Sequence, residues 1–393
     1  MKHRFFLLTV LLAVVLFCPA MAEEQAVELT KSCTFSSDVD ASHVTRSMDG
    51  RYDRYWNGTG GTLEITLPDG AKCQGLSLSF FGASVPLTVE AKDENGEWTE
   101  IAQYKDDFLN AFIPFEASGI IRLRAAEKEA EYKISALSVW GEGTLPDSVQ
   151  HWMHLEENAD LMLIVTHPDD DLIWFGGLLP TYAGEQGKKC MVVYLAGEPS
   201  AQRKNELLDG LWTCGIRYYP EIGPFYDLNG KSVELVKQKW GGEDAAPSYI
   251  VRQLRHYKPL VVVTQDIRGE YGHTQHLVAV EAVIRSVTEL SADAAFDPDS
   301  AAQYGVYAPQ KLYMHRLREN EITFDWTQPL SAFDGRTGEE VAKEAFKKHI
   351  SQQKTHYHIY MGGTYDSQRY GLYYSTVGLD EEKNDLFEHI EER

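Results

Sequence analysis

The fold is decided by an apolar run and the polar residues that follow it, Leu161-Met162-Leu163-Ile164-Val165-Thr166-His167-Pro168-Asp169-Asp170-Asp171. Five consecutive apolar residues are typical of a parallel strand that is buried on both faces. Similar runs at residues 191–195 and 260–263 alternate with segments of helical length and composition at 202–213, 248–257 and 276–290. This alternation predicts βαβ units and a three-layer α/β sandwich over residues 148–393, with its site at the carboxyl ends of the strands.

The residues before that unit show a different pattern. Between Cys33 and Trp140, segments 63–67, 76–80, 87–91 and 121–125 alternate apolar and polar side chains, as half-buried strands do. Turn dipeptides such as Asp69-Gly70 and Asn95-Gly96 separate the strands. We therefore predict a multi-domain chain in which an antiparallel β-sandwich of jelly-roll type, residues 23–147, precedes the α/β unit. Its last residues, 141–147, have the composition of a linker.

The amino terminus has the pattern of a secretory signal. Basic Lys2 and Arg4 precede an apolar run at residues 5–17, and Ala20-Met21-Ala22 supplies a small-x-small cleavage pattern. The apolar run is shorter than the roughly 20 residues that span a bilayer. We expect a signal peptide at residues 1–22, cleavage near Ala22 and a secreted or extracytoplasmic protein.

An oxidising compartment permits disulfides among the four cysteines that follow the signal peptide. Pairing within each half, Cys33 with Cys73 and Cys190 with Cys214, is the least demanding connectivity. Buried free thiols are an equally good alternative, because a chain with a large core does not need the cross-links.

Acidic residues outnumber basic ones by 59 to 37, which gives a formal net charge of −22. So acidic a surface repels nucleic-acid phosphates and anionic membranes. We expect no nucleic-acid partner and, since no later segment is apolar enough, no membrane span. Neutral, zwitterionic or cationic partners remain.

A second polar run, Asp266-Ile267-Arg268-Gly269-Glu270-Tyr271-Gly272-His273-Thr274-Gln275-His276, follows the third apolar strand. A hydrolytic Zn²⁺ needs three nitrogen or oxygen ligands and an open position for water. His167, Asp170 and His276 can supply that set, because the spacing of three residues turns the first two toward one point. We expect one zinc ion per chain, with another divalent metal as the alternative.

Three neighbouring side chains complete a catalytic set for amide hydrolysis. Asp169 is placed to act as general base toward water. His273 can donate to the oxyanion of the tetrahedral intermediate, and Tyr271 offers a phenol from the same loop. An imidazolium can protonate the departing amine. The alternative interpretation is structural, because aspartates after a strand often cap a helix and His-x-x-His pairs occur on helix faces without a metal.

The two motifs, His167-Pro168-Asp169-Asp170 and Gly272-His273-x-x-His276, resemble those of the zinc-dependent de-N-acetylases of the PIG-L/LmbE-like family. The resemblance covers about residues 160–380 and implies a Rossmann-like fold that removes acetyl groups from N-acetylglucosamine-type sugars. The resemblance implies that His167, Asp170 and His276 bind zinc. It implies that Asp169 is the general base and that His273 helps to stabilise the oxyanion. It also implies that Arg203, in Arg203-x-x-Glu206, faces the substrate. The chain departs from the family pattern at Asp171, where Glu is usual, and at Gln275, where some members have Asp.

The sandwich resembles discoidin-type, galactose-binding-like domains through Asp49-Gly50-x-x-Asp53-x-Tyr55-Trp56 and Val139-Trp140-Gly141. The resemblance implies a carbohydrate-binding domain, and Tyr52, Tyr55 and Trp56 are candidates for a sugar-stacking platform. Core packing is the more common role of a Trp beside a turn in a sandwich, and it is the interpretation we favour for these aromatic residues.

Together these patterns predict an exported zinc hydrolase that deacetylates an amino sugar in a glycan or glycoconjugate. A non-catalytic, secreted carbohydrate-binding protein is the first alternative. A non-haem iron oxygenase with His167, Asp169 and a distant histidine as ligands is a weaker one, because it leaves Asp170 without a role.

Overall fold

The computed structural model describes residues 24–156, 158–197, 200–228, 232–391 and 393. The predicted signal peptide and its cleavage site lie outside the described residues. The predicted fold class is confirmed: an antiparallel β-sandwich is followed by a mixed α/β unit with a large, mostly parallel sheet.

Two antiparallel sheets form the sandwich. One has the order β1-β3-β8-β5-β6 and the other β2-β9-β4-β7. Buried and exposed side chains alternate along β3 and β8, as the sequence pattern predicts, and the buried ones fill the space between the sheets. The strands are β1 Thr34–Ser37, β2 Trp56–Asn57, β3 Thr62–Thr66, β4 Lys72–Phe80, β5 Leu87–Lys92, β6 Trp98–Tyr104, β7 Asn110–Ser118, β8 Ile120–Ala125 and β9 Lys133–Gly141.

The α/β unit is built around a sheet of seven strands in the order β12-β11-β10-β13-β14-β16-β15. The first five strands of that order are parallel, and β16 runs antiparallel to both β14 and β15. The elements are β10 Leu161–Val165, α1 Asp170–Ile173, β11 Cys190–Ala196, α2 Ala201–Thr213, β12 Glu221–Phe225, α3 Val233–Lys239, α4 Ala245–Tyr257, β13 Val261–Thr264, α5 Gly269–Gly272, α6 Thr274–Arg285, α7 Pro298–Tyr304, β14 Lys311–His315, β15 Glu321–Thr323, α8 Gly338–Lys347 and β16 Arg369–Ser375.

The central strand β10 is buried along its whole length. Its alternate residues contribute to two different apolar clusters: Leu161, Leu163 and Val165 to one, Met162 and Ile164 to the other. A strand that packs on both faces explains why its sequence is continuously apolar rather than alternating. The three-layer arrangement follows from the same observation.

The order of the strands places the site. After β10 the chain adds β11 and β12 on one side, then crosses over to add β13 and β14 on the other. The connections that follow β10 and β13 therefore diverge, which opens a crevice at the carboxyl ends of these two neighbouring strands. In α/β proteins of this kind ligands bind at such a switch point.

The sandwich packs against helix α2 of the α/β unit. Tyr52 Oη donates to Asp209 Oδ2 at 2.9 Å, Gln150 Nε2 donates to Asp209 Oδ1 at 2.6 Å, and Asn205 Nδ2 contacts the Phe80 carbonyl at 3.4 Å. One apolar cluster runs from the sandwich into the α/β unit without a break. The predicted linker is tied to the same helix, because Trp212 Nε1 donates to the Asp147 carbonyl at 2.6 Å.

Asp209 makes this interface sensitive to pH. Burial raises the pKa of Asp209 to about 6, although hydrogen bonds from Tyr52 and Gln150 oppose the rise. A raised carboxyl pKa means that the folded state favours the protonated form, so this contribution to stability is full below about pH 4 and lost as the pH rises through about 6. We expect Asp209→Asn to increase the free energy of unfolding at pH 8, by at most roughly 3 kcal/mol, and to change it little at pH 4.

Urea unfolding at the two pH values, with the exposed Asp106→Asn as control, checks this expectation. A variant that is destabilised more at pH 8 than at pH 4 would contradict it.

Two further expectations concern the chain as a whole. Cys33, Cys73, Cys190 and Cys214 are free thiols in the structure, which is one of the two alternatives that the sequence left open. Within the described ranges, none of the helices combines the length and the apolar character needed to cross a bilayer.

Candidate active site

The site lies at the carboxyl ends of β10 and β13. β10 ends at Val165, and His167 lies two residues further along the chain, after Thr166. Asp170 begins the short helix α1. His276 lies in the first turn of α6, which follows the β13 connection. The structure therefore brings the three predicted metal ligands to one crevice from two loops.

Their ligand atoms form a nearly equilateral triangle. His167 Nδ1 lies 3.2 Å from Asp170 Oδ2, Asp170 Oδ2 lies 3.3 Å from His276 Nε2, and the two imidazole nitrogens are 3.1 Å apart. Ligands at 2.0–2.1 Å from a tetrahedral metal are separated by about 3.3 Å. The triangle thus has the size that a zinc-like ion requires, and the side chains of Asp170 and His276 are almost fully buried.

Burial of three polar groups at this spacing calls for a positive charge between them. Burial lowers the pKa of the His167 imidazole, but the hydrogen bonds and charges of Asp170 and Asp227 outweigh it and raise the pKa to about 10. Burial raises the pKa of the Asp170 carboxyl, but His276 and His167 outweigh that effect and lower the pKa. A divalent cation can take the place of those protons, since ligands bind metal in their deprotonated forms.

His273 forms a second, looser grouping with the same histidines. Possible ligand atoms of His167, His273 and His276 all lie within 4.8 Å of one another, which also permits a three-histidine set. The triangle that contains Asp170 is tighter. Nδ1 of His273 is buried and has no hydrogen-bond partner among the described residues. Burial, together with the nearby His276 and His167, lowers the pKa of His273 to about 4.

In two of the ligands, the atom that faces away from the triangle is held by a hydrogen bond to a neighbouring side chain. His167 Nε2 lies 2.7 Å from Gln275 Oε1, which leaves Nδ1 facing the triangle. Trp174 Nε1 donates to Asp170 Oδ1 at 2.7 Å, which leaves Oδ2 for the triangle. The substitution of Gln275 for the acid found in some relatives of the predicted family therefore retains an acceptor for the His167 ring.

Trp174→Phe is expected to weaken metal binding about 10- to 100-fold, because loss of a hydrogen bond that orients a ligand typically has that effect. Competition with a chromophoric chelator measures the affinity. Trp212→Phe, which removes an indole hydrogen bond at the sandwich interface, serves as the matched control. Equal affinities of the two variants would show that the Trp174 indole does not orient Asp170.

Asp169 lies beside the triangle rather than in it. Its φ of 114° is in the left-handed half of the map, where a residue other than glycine is uncommon and often functional. Its Oδ2 lies 3.3 Å from Arg203 Nη2, and its backbone N–H donates to Asp171 Oδ1 at 3.3 Å. Asp169 makes no side-chain cap to helix α1, so the helix-capping interpretation does not account for it.

The electrostatic surroundings of Asp169 suit a base. Burial raises the pKa of the Asp169 carboxyl, Arg203 opposes the rise and the Asp170 carboxylate adds to it. A carboxyl group whose pKa moves toward neutrality is a better proton acceptor during catalysis. The iron set considered from the sequence needs Asp169 as a ligand, whereas the structure places Asp170 against both histidines.

The mouth of the site is aromatic and polar. A pocket of about 130 Å³ is lined by the triangle together with further polar and aromatic side chains: Asp169, Arg203, Asp227, His273, Tyr271, Trp174 and Tyr357. Tyr271 is 46% exposed and its Oη lies 3.0 Å from Tyr357 Oη. Arg203 donates to the Pro168 carbonyl as well as contacting Asp169. Arg203 therefore reaches the pocket, as the family resemblance implies.

Sequence reasoning missed three residues of the site: Trp174, Asp227 and Glu270. Asp227 Oδ1 lies 3.5 Å from His167 Nε2 and Glu270 Oε2 lies 2.7 Å from His276 Nδ1. The position of Trp174, four residues after Asp170, could have indicated a contact between the two side chains, because residues four apart share one face of a helix. No signal pointed to Asp227, which follows β12 in a loop without a motif.

Of the two roles considered for the aromatic residues of the sandwich, the structure shows packing and not a sugar-stacking platform. Trp56 is fully buried in the sandwich core, where its ring meets Tyr132 edge to face. Tyr52 points to Asp209 of the α/β unit, and Tyr55 packs on Phe81 with ring centroids 4.4 Å apart. The three rings have separate structural roles and form no shared exposed face.

Part of the α/β unit is similar to known proteins. Residues 162–287 match the family described as GlcNAc-PI de-N-acetylase, PIG-L. A 1D-myo-inositol 2-acetamido-2-deoxy-alpha-D-glucopyranoside deacetylase 1 of Catenulispora acidiphila is 29% identical over 188 residues, which are 41% of this chain and 57% of that protein. The present chain thus spans little more than half the length of that relative.

Two solved structures resemble this chain at a low level. N,N'-diacetylchitobiose deacetylase of Pyrococcus horikoshii is 17% identical, covering 49% of this chain and 71% of its own, with a TM-score of 0.34. An F5/8 type C domain from Bacteroides fragilis is 15% identical, covering 30% of this chain and 98% of its own, with a TM-score of 0.26. Residues 162–287 of this chain thus match the PIG-L family, and a β-sandwich precedes them.

Proposed function

We propose that this protein is a metal-dependent hydrolase that removes the N-acetyl group from an amino sugar of the N-acetylglucosamine type, within a glycan or glycoconjugate. One observation carries the proposal: the triangle of His167, Asp170 and His276 shares a single pocket with Asp169 and His273. The matched PIG-L family and the deacetylase named among the relatives support it.

Zinc is the metal we propose. Two imidazole nitrogens and one carboxylate oxygen are a donor set typical of catalytic zinc, which leaves a further position open. Bound there, the ion would polarise the acetamido carbonyl and lower the pKa of water.

Asp169 supplies the proton transfers. Its carboxylate takes a proton from the water whose oxygen forms the new bond to the acetyl carbon. It then returns that proton to the amine nitrogen as the carbon–nitrogen bond breaks, which gives acetic acid and the free amine; a proton then passes between them to give acetate and an ammonium group. Its contact with Arg203 keeps the carboxylate turned toward the pocket.

His273 and Tyr271 act on the carbonyl oxygen. With its pKa lowered by burial, His273 is neutral at pH 7 and donates an N–H hydrogen bond to the developing oxyanion. This revises the expectation that an imidazolium protonates the amine, and it leaves that step to Asp169. The Tyr271 hydroxyl adds a second donor at the pocket mouth.

The pocket lining suits a neutral sugar. Arg203 and Asp227 offer charged partners for sugar hydroxyl groups, and the half-exposed Tyr271 ring offers an apolar face against which a pyranose can pack. The net charge of −22 disfavours strongly anionic polymers.

We propose that the protein acts outside the cytoplasm, on the basis of the signal-like pattern at residues 1–22. We also propose that the sandwich supports the α/β unit, because it contacts Asn205 and Asp209 on the helix that carries Arg203. Glycan binding by the sandwich is the alternative role.

The test uses the full-length, zinc-loaded protein with a panel of N-acetylated mono- and oligosaccharides and cell-wall fragments. Released acetate and free amine are measured separately. We expect both products in equal amounts from at least one amino sugar. Tight binding of sugars without release of either product would favour the carbohydrate-binding alternative and reject the enzymatic one.

A further inference from the structure

A chain of buried polar groups extends from the candidate metal site into the core. His276 Nδ1 lies 2.7 Å from Glu270 Oε2, and the other carboxylate oxygen of Glu270 lies 3.4 Å from His315 Nδ1. His315 Nε2 lies 3.1 Å from the Asp366 carbonyl. These side chains come from α6, α5 and β14, and those of Glu270 and His315 are fully buried.

The backbone of Glu270 is strained. Its φ of 55° and ψ of −79° interrupt the short helix α5. This is close to the γ-turn conformation that is rare and unfavourable for residues with a side chain. Arg316 Nη1 donates to the Glu270 carbonyl at 2.9 Å, and the Asp266 backbone N–H donates to Glu270 Oε1 at 2.8 Å. Strain that the surroundings hold in place is a sign of function, and here its result is to aim Oε2 at His276.

A second group competes for the same nitrogen of His276. Gln265 Nε2 lies 3.0 Å from His276 Nδ1. The amide oxygen of Gln265 accepts hydrogen bonds from the backbone N–H of Thr166 at 3.0 Å and from its hydroxyl at 2.5 Å. The amide NH₂ is therefore turned toward His276, where it seeks an acceptor.

The two neighbours favour opposite tautomers of His276. The Gln265 amide, as a donor, stabilises the ring with a bare Nδ1 and a hydrogen on Nε2. The Glu270 carboxylate accepts only, so it stabilises the ring with a hydrogen on Nδ1. Nε2 is the nitrogen in the ligand triangle, and a neutral imidazole binds metal only through the nitrogen without a hydrogen.

We propose that Glu270 selects the metal-binding tautomer of His276 against the opposing Gln265, and that His315 holds the Glu270 carboxylate in place. A charged acceptor at 2.7 Å outweighs a neutral donor at 3.0 Å. Glu270 and His315 are thus positioning residues for the metal ligand. This inference rests on the proposed metal-dependent function.

The first test is the affinity for Zn²⁺ of Glu270→Gln, measured by chelator competition with the full-length protein. We expect the affinity to fall about 10- to 100-fold, as when other groups that orient metal-bound histidines are lost. Glu206→Gln is the matched control, since Glu206 is also a buried glutamate of the α/β unit but accepts from Ser351 instead of a ligand. Unchanged affinity in folded Glu270→Gln would overturn the proposal.

The second test is rescue. Gln265→Glu in the Glu270→Gln background places a carboxylate at the other neighbour of Nδ1 and restores the net charge. We expect this double variant to recover at least tenfold of the lost affinity, and its Co²⁺ derivative to regain the visible absorption spectrum of the wild type. No recovery would overturn the tautomer assignment, because a role of Glu270 in packing alone would not be restored from position 265.

If Glu270→Gln does not fold, Glu270→Asp takes its place, since the shorter side chain keeps the charge but withdraws it from Nδ1. Wild-type affinity in that variant would overturn the proposal. Wild-type protein that binds no zinc would instead reject the proposed function, so the two failures are distinguishable.

Discussion

Replacing Asp169 with asparagine is expected to slow acetate release about a hundred- to ten-thousandfold, the usual contribution of a general base. An amide at this position keeps the shape of the side chain but cannot take a proton from water. Metal content should stay at the wild-type level, because the Asp169 carboxylate lies outside the triangle of ligand atoms. Acetate assay and metal analysis of the same preparation measure the two quantities.

The control for this variant is Asp171→Asn. Asp171 belongs to the same buried run, but its carboxylate accepts from the Asp169 backbone N–H, a contact that an asparagine oxygen can still make. We expect a loss of less than about tenfold there, since an asparagine keeps this hydrogen bond in a weakened form. Acetate release at the native rate by Asp169→Asn would mean that another group takes the proton.

Removing His167 and His276 together is expected to abolish metal binding. The double variant His167→Ala, His276→Ala leaves Asp170 as the only member of the triangle, and one carboxylate does not hold a zinc-like ion. Metal analysis after dialysis should fall from one equivalent per chain to none, and acetate release should fall to background.

The matched control replaces another pair of histidines, His356 and His358. His356 and His358 are both exposed and lie outside the triangle, so His356→Ala, His358→Ala should keep one equivalent of metal. Retention of metal by the His167, His276 variant would show that the ion binds elsewhere, and loss from the control would point to that pair.

The strands of the α/β unit could be predicted because a strand that is buried on both faces has a continuous run of apolar residues. The apolar runs at 161–165, 191–195 and 260–263 correspond to β10, β11 and β13 within one residue at either end. The helices predicted at 202–213 and 248–257 correspond to α2 and α4. The order of the strands in the sheet was not predictable, since it depends on crossovers whose direction no local pattern records.

The site was predictable in part. His167, Asp170 and His276 stand in motifs whose spacing follows from the strand–loop–helix connections. Glu270 belongs to the polar run that contains His276. Its contact with His276 depends on a positive φ, and the sequence does not indicate a positive φ at a residue other than glycine. The roles of Asp227 and His315 depend on contacts between elements far apart in sequence.

The sandwich shows the limit of pattern reasoning for surfaces. Alternation correctly indicated which residues of β3 and β8 are buried, but in β5 the polar alternates Thr88 and Glu90 are buried as well. It could not indicate which loops another unit covers, and Tyr52 proves to be covered by α2. An aromatic residue in a turn therefore has the same sequence pattern whether it faces solvent, the core or a neighbouring unit.

The most direct test of the account is a titration of metal-free protein with Zn²⁺ in which acetate release is followed from the N-acetylated amino sugar that the substrate panel identifies. The account predicts that activity rises in proportion to bound zinc and reaches its plateau at one equivalent per chain, bound at His167, Asp170 and His276. Acetate release by the metal-free protein at the plateau rate, or a plateau that the His167, His276 variant also reaches, would contradict it.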